Sequence, residues 1–253
     1  MHLKTRGLVL RVSAYNDTDA LLTLLTQEHG RLTAKVRGLK RKNNPMFAPC
    51  QLLAYSEFVL FENKGLYTVN EAESVELFHS LRGDLQKLSL GTYFVQVAEL
   101  ICQEDMPDPG LLPLVLNSLF ALSKLGIREG IVKAAFELRI ACISGFMPSL
   151  NGCIHCGETF ADRLNLSEGH LECRSCGKLS TNGIRMPVTG GALDAMRYIC
   201  HCEPKKIFSF QIGEDNLRCL CQLTESYLLT QLERGFSSLD FYKSLFDNGD
   251  YNV

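Results

Sequence analysis

A chain of 253 residues that is 46% hydrophobic is long enough for one large domain, or two to three small ones, with a buried core. No apolar run reaches the ~18 residues of a membrane span, and the opening Met1-His2-Leu3-Lys4-Thr5-Arg6-Gly7 leads into alternation rather than the apolar run of a secretory signal. The net charge of −2 gives no sign of a polyanion partner, but its distribution does: His29 to Ser56 holds six Lys or Arg and no Asp or Glu, whereas Gly190 to Val253 holds six basic and nine acidic residues.

Residues 1 to about 78 read as β. Leu8, Leu10 and Val12 alternate with Val9, Arg11 and Ser13, and Ala20 to Thr26 is a second apolar run. After the turn signal Glu28-His29-Gly30, residues 31–37 alternate cleanly, and Leu52 to Phe61, Leu66 to Val69 and Val75 to Leu77 supply further strands. Five or so short strands with glycine-bearing turns predict a small closed barrel of the OB type. From about Asp84 the apolar period lengthens: Leu85, Leu88, Tyr93, Val97, Leu100 and Ile101 recur at helical spacing. Met106-Pro107-Asp108-Pro109-Gly110 breaks that helix. Leu111 to Leu125 and Ile131 to Ile143 read as two more helices, the second ended by Gly145-Phe146-Met147-Pro148. Gly190 to Cys200, Glu214 to Leu232 and a short closing stretch from Leu239 to Phe246 are helical again. The expected fold class is α+β: an OB-type barrel over 1–79, then a helical domain over 80–253 with a zinc module inserted at 150–180. Three independent modules are the alternative.

The zinc module rests on Cys153-x-x-Cys156 and Cys173-x-x-Cys176, sixteen residues apart. Each C-x-x-C bends its chain so that two sulfurs aim at one centre, and this spacing is that of a four-thiolate zinc site. Zinc takes four thiolates as a tetrahedron with no position left for water, so the expected role is structural. Gly157 and Gly177 follow each pair, where a tight turn often needs a positive φ. A disulfide framework fits poorly with eleven cysteines and no signal peptide; a reducing cytosol fits better. A redox C-x-x-C does not explain two pairs at ribbon spacing, and a zinc deaminase needs a proline before its C-x-x-C that is missing at both. His155 and His170 could each replace a thiolate, but four cysteines suffice. Cys200-His201-Cys202 with Cys219-x-Cys221 suggests a second metal site only superficially, because residues two apart on a helix diverge. Gly190-Gly191 reads as a helix start rather than a phosphate cradle.

In the strand 31–37, Leu32, Ala34 and Val36 share the core face, leaving Arg31, Lys35 and Arg37 on the other. Lys40, Arg41 and Lys42 follow in what reads as a flexible loop. An ordinary solvated face mixes charge signs; this one does not. Together with nearby aromatics (Phe47, Tyr55, Phe58, Phe61, Tyr67) it predicts a phosphate-tracking stripe of Arg31, Lys35, Arg37, Lys40, Arg41 and Lys42 on the barrel. No G-x-x-x-x-G-K-S/T is present, and no catalytic constellation can be read, so no enzyme is expected.

The run Phe136-Glu137-Leu138-Arg139, Gly145-Phe146-Met147-Pro148-Ser149-Leu150 and Cys153-x-x-Cys156-Gly157 resembles the bacterial RecO family. Thr5 to Leu10, then Asp19 and a run of leucines, Gly30-Arg31-Leu32 and Val36 to Lys40 are similar to that family's amino end. Leu239 to Leu245 is a looser match to its closing segment, and Asp240 and Asp247 stand where more basic character is expected. The resemblance implies a DNA repair and recombination mediator in the bacterial cytoplasm, at the nucleoid. It would bind single- and double-stranded DNA, anneal complementary strands without ATP, and work with RecR and single-strand binding protein to help RecA load. For an acidic, apolar tail of the single-strand binding protein, Arg128, Lys133 and Arg139 are candidates by charge. A zinc-ribbon adaptor of transcription or translation, holding RNA or polymerase, is the alternative from another class. A hydrolase or transferase with purely structural zinc is the third.

Overall fold

Strands β1 (His2–Ala14), β2 (Ala20–Thr26), β3 (Gly30–Val36), β4 (Tyr55–Asn63) and β5 (Leu66–Glu76) close into a barrel in the order β1-β2-β3-β5-β4. This computed structural model describes residues 2–63, 65–159, 161–178 and 183–246. One parallel pairing closes the barrel, with Ala34 of β3 opposite Tyr67 and Lys35 opposite Thr68 of β5. The other pairings are antiparallel. β1 serves two neighbours, pairing His2 to Leu8 with β4 and Gly7 to Ala14 with β2. A register shift between Val9 and Arg11 lets it bend from one to the other.

β3 alternates as the sequence predicts: Leu32, Ala34 and Val36 are buried, with Arg31, Thr33 and Lys35 half-buried between them. They join Leu22, Leu24, Phe58 and Leu60 in the barrel core, each large apolar side chain contributing about 1.5–3 kcal/mol on burial. The alternation expected in β1 does not hold, since Leu8, Val9 and Leu10 are all buried. Val9 belongs to the barrel core, while the opposite face of the strand is covered by a helix, so both faces are apolar.

That helix is α2 (Leu85–Ile101), preceded by the single turn α1 (His79–Arg82) and followed by α3 (Leu111–Lys124). Asp84 caps α2 by accepting from the amides of Gln86 (3.0 Å) and Lys87 (3.1 Å), and Arg11 of β1 pairs with Glu99 on it at 2.7 Å. The turn into β3 needs glycine twice over. Gly30 has φ +61°, and a Cβ there would stand 2.6 Å from the Gln103 carbonyl oxygen.

Contacts divide the chain after Lys124, so α1–α3 belong to the same compact unit as the barrel. The second unit contains α4 (Glu129–Ile143), strands β6 (Ser149–Cys153), β7 (Arg163–Asn165), β8 (His170–Glu172) and β9 (Arg185–Pro187), then α5 (Gly190–His201), α6 (Glu214–Leu232) and α7 (Ser237–Ser244). α4, α5 and α6 pack on one another. The four strands form a small sheet ordered β6-β8-β7-β9, in which β7 and β8 form a hairpin between the cysteine pairs. Gly190-Gly191 opens α5, where Thr189 caps the Ala192 amide at 3.3 Å and a Cβ on Gly191 would meet Asn216 at 2.5 Å. Asp240 lies in α7; Asp247 lies outside the described residues.

Candidate metal centre and nucleic-acid interface

The sulfurs of Cys153, Cys156, Cys173 and Cys176 lie within 4.8 Å of one another. Those of Cys156 and Cys173 are 3.7 Å apart, which is the edge of a tetrahedron whose centre-to-sulfur distance is about 2.3 Å. Two equivalent turns create this, each closed by the glycine after the pair: Gly157 N–H donates to the Cys153 carbonyl and Gly177 N–H to that of Cys173, both at 2.9 Å. Gly157 has the expected positive φ of 74°. Gly177 does not. Space there is tight: a Cβ would stand 3.1 Å from Oε2 of Glu172.

Burial opposes ionisation of Cys153, but the backbone amides of Cys173, Cys156 and His155 outweigh it and bring the thiol down to about 6. Cys176, crowded by the sulfurs of Cys156 and Cys173, is pushed up to about 12. Such a cluster holds four negative sulfurs only around a cation, and the donor set fits zinc.

The module is locked from behind by Glu172, which is fully buried. It receives Arg185 Nε at 2.6 Å, Asn165 Nδ2 at 3.1 Å and His170 Nε2 at 3.2 Å. Burial pushes this carboxyl up, but those donors outweigh it and hold it down at about 2. His155 and His170 meet edge-on with ring centroids 6.0 Å apart. With Glu172 they form a second group with atoms near enough to share an ion. Arg185 already neutralises that carboxylate, and His170 bonds to it, while the His155 ring meets that of His170.

The six cations singled out in 31–42 differ in what they pair with. Lys35 is committed: its ammonium sits 2.9 Å from Asp19 and 4.2 Å from the Tyr15 ring centroid. Arg31 reaches Glu104 at 3.4 Å, a looser and more exposed pair. Lys40 is exposed but donates to the Asn16 carbonyl at 2.8 Å. Arg37, Arg41 and Lys42 are exposed and have no carboxylate partner among the described residues.

The segment after β3 is a series of hydrogen-bonded turns rather than a flexible loop. Arg41 N–H donates to Gly38 and Phe47 N–H to Asn44, both at 3.0 Å, and Leu39 and Cys50 are buried. Asp19 fastens it to the β1–β2 turn by accepting from Gly38 N–H at 2.8 Å. That amide, then Lys35, holds the Asp19 carboxyl well below the usual range.

The aromatics that sequence could not sort are sorted by depth. Phe58 is fully buried, whereas Phe47 is 61% exposed and Phe61 39%. Tyr15, absent from the sequence reading, is 52% exposed. Its signal was the Tyr15-Asn16-Asp17-Thr18 turn, in which Asn16 Oδ1 accepts the amides of Thr18 and Asp19. The two turns meet through Lys40, whose amide donates to the Thr18 carbonyl at 3.0 Å.

The three cations of the second unit singled out by charge each have partners within that unit. Lys133 is only 4% exposed and lies 2.8 Å from both Glu137 and Glu225. Arg139 donates to the carbonyls of Cys200 and Cys202, and Arg128 to Glu214 and the Ile212 carbonyl. A cavity of about 230 Å³ nearby is lined by Met186, Arg218, Cys221, Glu225, Tyr242 and Lys243, among others. Cys200, Cys202, Cys219 and Cys221 do not come together as a metal group.

A closed OB-type barrel carrying its own helices, followed by a helical unit with an inserted four-cysteine module, defines the architectural class. Family profiles described as Recombination protein O N terminal and Recombination protein O C terminal match residues 1–78 and 82–240. The chain is 33% identical over 246 residues to the DNA repair protein RecO of Acetivibrio thermocellus, covering 96% of this chain and 97% of that one. It is 30% identical over 248 residues to that of Alkaliphilus metalliredigens (97% and 100%), and 27% identical over 231 residues to that of Bacillus subtilis (90% and 88%). The chain belongs to the RecO family of DNA repair proteins. These descriptions name repair and recombination and no enzymatic activity, and no helix among the described residues is long and apolar enough to cross a membrane.

Proposed function

We propose that this protein is a recombination mediator that binds single- and double-stranded DNA through the barrel and anneals complementary strands. The observation that carries the reading is the cluster of exposed cations without carboxylate partners among the described residues, Arg37, Arg41 and Lys42, beside Lys40 on turns that also expose Phe47. Family membership supports it independently. Annealing two polyanions requires their repulsion to be screened while the bases stay free to pair. Phosphate contacts are sequence-blind and position a strand, and exposed rings such as Tyr15 and Phe47 can stack on any base. Asp19 keeps the two turns in register, so the backbone that carries the cations is ordered before binding. Arg31 adds a weaker charge, and Lys35 positions Tyr15.

The four-cysteine module holds zinc in a structural role, with Cys153, Cys156, Cys173 and Cys176 as ligands. In this reading the barrel domain is 1–79 and the helical domain 80–253. The protein works in the bacterial cytoplasm at the nucleoid, with RecR and single-strand binding protein, and helps RecA load. An acidic, apolar tail of the latter protein finds its chemistry at the cavity bearing Lys133, Met186, Arg218 and Lys243 rather than at Arg128 or Arg139. The test is annealing of complementary oligonucleotides by the pure protein at two salt concentrations, with and without single-strand binding protein. ATP-independent annealing that weakens with salt is expected. Binding to RNA or polymerase without annealing would favour the zinc-ribbon adaptor instead.

A further inference from the structure

The second unit contains a thiol cluster that neither the metal centre nor the DNA reading uses. Cys142, near the end of α4, and Cys200, near the end of α5, lie 58 positions apart in sequence with their sulfurs 3.7 Å apart. Cys200 is buried, whereas Cys142 is partly exposed. Arg139, one turn before Cys142 on the same helix, crosses to the end of α5. It donates to the Cys200 carbonyl (3.3 Å), the Cys202 carbonyl (2.6 Å) and the Cys202 sulfur (3.2 Å). Its Nε is buried with no hydrogen-bond partner. A guanidinium so placed neutralises the negative end of α5 and favours an anion formed beside it.

We infer that Cys142 and Cys200 form a peroxide-oxidised dithiol, with Cys142 as the attacking sulfur and Cys200 as the resolving one. The thiolate of Cys142 attacks one oxygen of a hydroperoxide. An S–O bond forms, the O–O bond breaks, and hydroxide (or alkoxide) leaves, giving a sulfenic acid at Cys142. The Cys200 sulfur then attacks Cys142 sulfur. The S–S bond forms, the S–O bond breaks, the Cys200 proton is lost, and the hydroxyl departs as water. Two thiols are oxidised by two electrons and the peroxide is reduced.

The geometry assigns the order of roles. Cys142 is the more accessible of the two; as a thiol it donates to the Cys200 sulfur, and on its ionisation that contact reverses, with the Cys200 thiol as donor. The reversed contact, aided by Arg139, lowers Cys142 against the opposing effect of burial, while the same contact and burial raise Cys200. The resulting bond would tie the C-terminal end of α4, from which the four-cysteine module departs, to the C-terminal end of α5, the helix that follows the module. Oxidation would therefore cross-link the two helices that flank the module without consuming its thiolates.

The experiment uses the full chain in its zinc-loaded form. It is exposed briefly to a small excess of hydrogen peroxide, free thiols are alkylated, and the protein is digested without reductant for mass mapping. The expected product is a peptide pair joined through Cys142 and Cys200, lost on adding dithiothreitol and formed before zinc is released. Cys200→Ser should abolish the linked pair and leave a sulfenic acid at Cys142 that dimedone traps. A Cys142 that remains fully alkylatable while the zinc cysteines oxidise would overturn the inference. So would a Cys142–Cys202 linkage, or a sulfenic acid in the unaltered protein that never resolves to a disulfide. The mapping of the unaltered protein decides the matter even if the variant does not fold.

Discussion

Removing the exposed cations should change how salt acts on single-strand binding, by an amount the ion-pair pattern fixes. Each phosphate contact made by a Lys or Arg contributes about −0.7 to the slope of log K against log salt for single strands. Among the described residues Arg37, Lys40, Arg41 and Lys42 have no carboxylate partner, so a slope of about −3 arises from this cluster. Between 50 and 200 mM salt that slope weakens binding roughly fifty-fold, whereas one remaining contact weakens it only about threefold. Arg37→Ala with Arg41→Ala and Lys42→Ala should therefore flatten the slope by about 2. Lys35→Gln should leave it nearly unchanged, because Lys35 already spends its charge on Asp19. Fluorescence anisotropy with a labelled oligonucleotide over a salt titration reads both. A Lys35 variant that flattens the slope as much as the triple variant would refute the division into committed and available charges. No change in either would remove the barrel turns from the binding surface.

Tyr15→Ala and Phe47→Ala should each weaken single-strand binding by about 1–3 kcal/mol without altering the salt slope, because stacking releases no counterions; a changed slope would mean the rings act by placing charges. Cys156→Ser should lose stoichiometric zinc by atomic absorption and lower the thermal transition of the second unit, and a full zinc complement would show that this sulfur is not a ligand. Lys133→Met should destabilise the protein by about 3–5 kcal/mol in urea, since it removes the ammonium 2.8 Å from the fully buried Glu137 and leaves Glu225 to Lys243. Burial raises Glu225, but its ion pairs with Lys133 and Lys243 outweigh this and hold it below the usual glutamate value. Its contribution to stability is thus present above the unfolded-state value near 4.5 and is lost as pH falls through the lowered folded one. Glu225→Gln should accordingly be most destabilising near neutrality and converge on the unaltered protein in acid unfolding.

Period alone determined much of this molecule. The shift from alternation to helical spacing near Asp84 marks a true change of structure, and the two C-x-x-C pairs predict a sulfur cluster because their geometry is set within a few residues. Leu32, Ala34 and Val36 face the barrel core for the same local reason. What period could not supply was the identity of neighbours distant in sequence. Arg31, Lys35 and Arg37 belong together by alternation, yet Glu104 from beyond α2 and Asp19 from the β1–β2 turn claim two of them. Lys133, Arg139 and Arg128 look like surface cations in sequence and are absorbed by Glu225, the end of α5 and Glu214. Leu8 and Leu10 break alternation because a helix covers the face that would otherwise meet water. A side chain's direction is set by its own backbone, but whether its charge is free depends on which segments the fold brings beside it. Only the tertiary structure decided that.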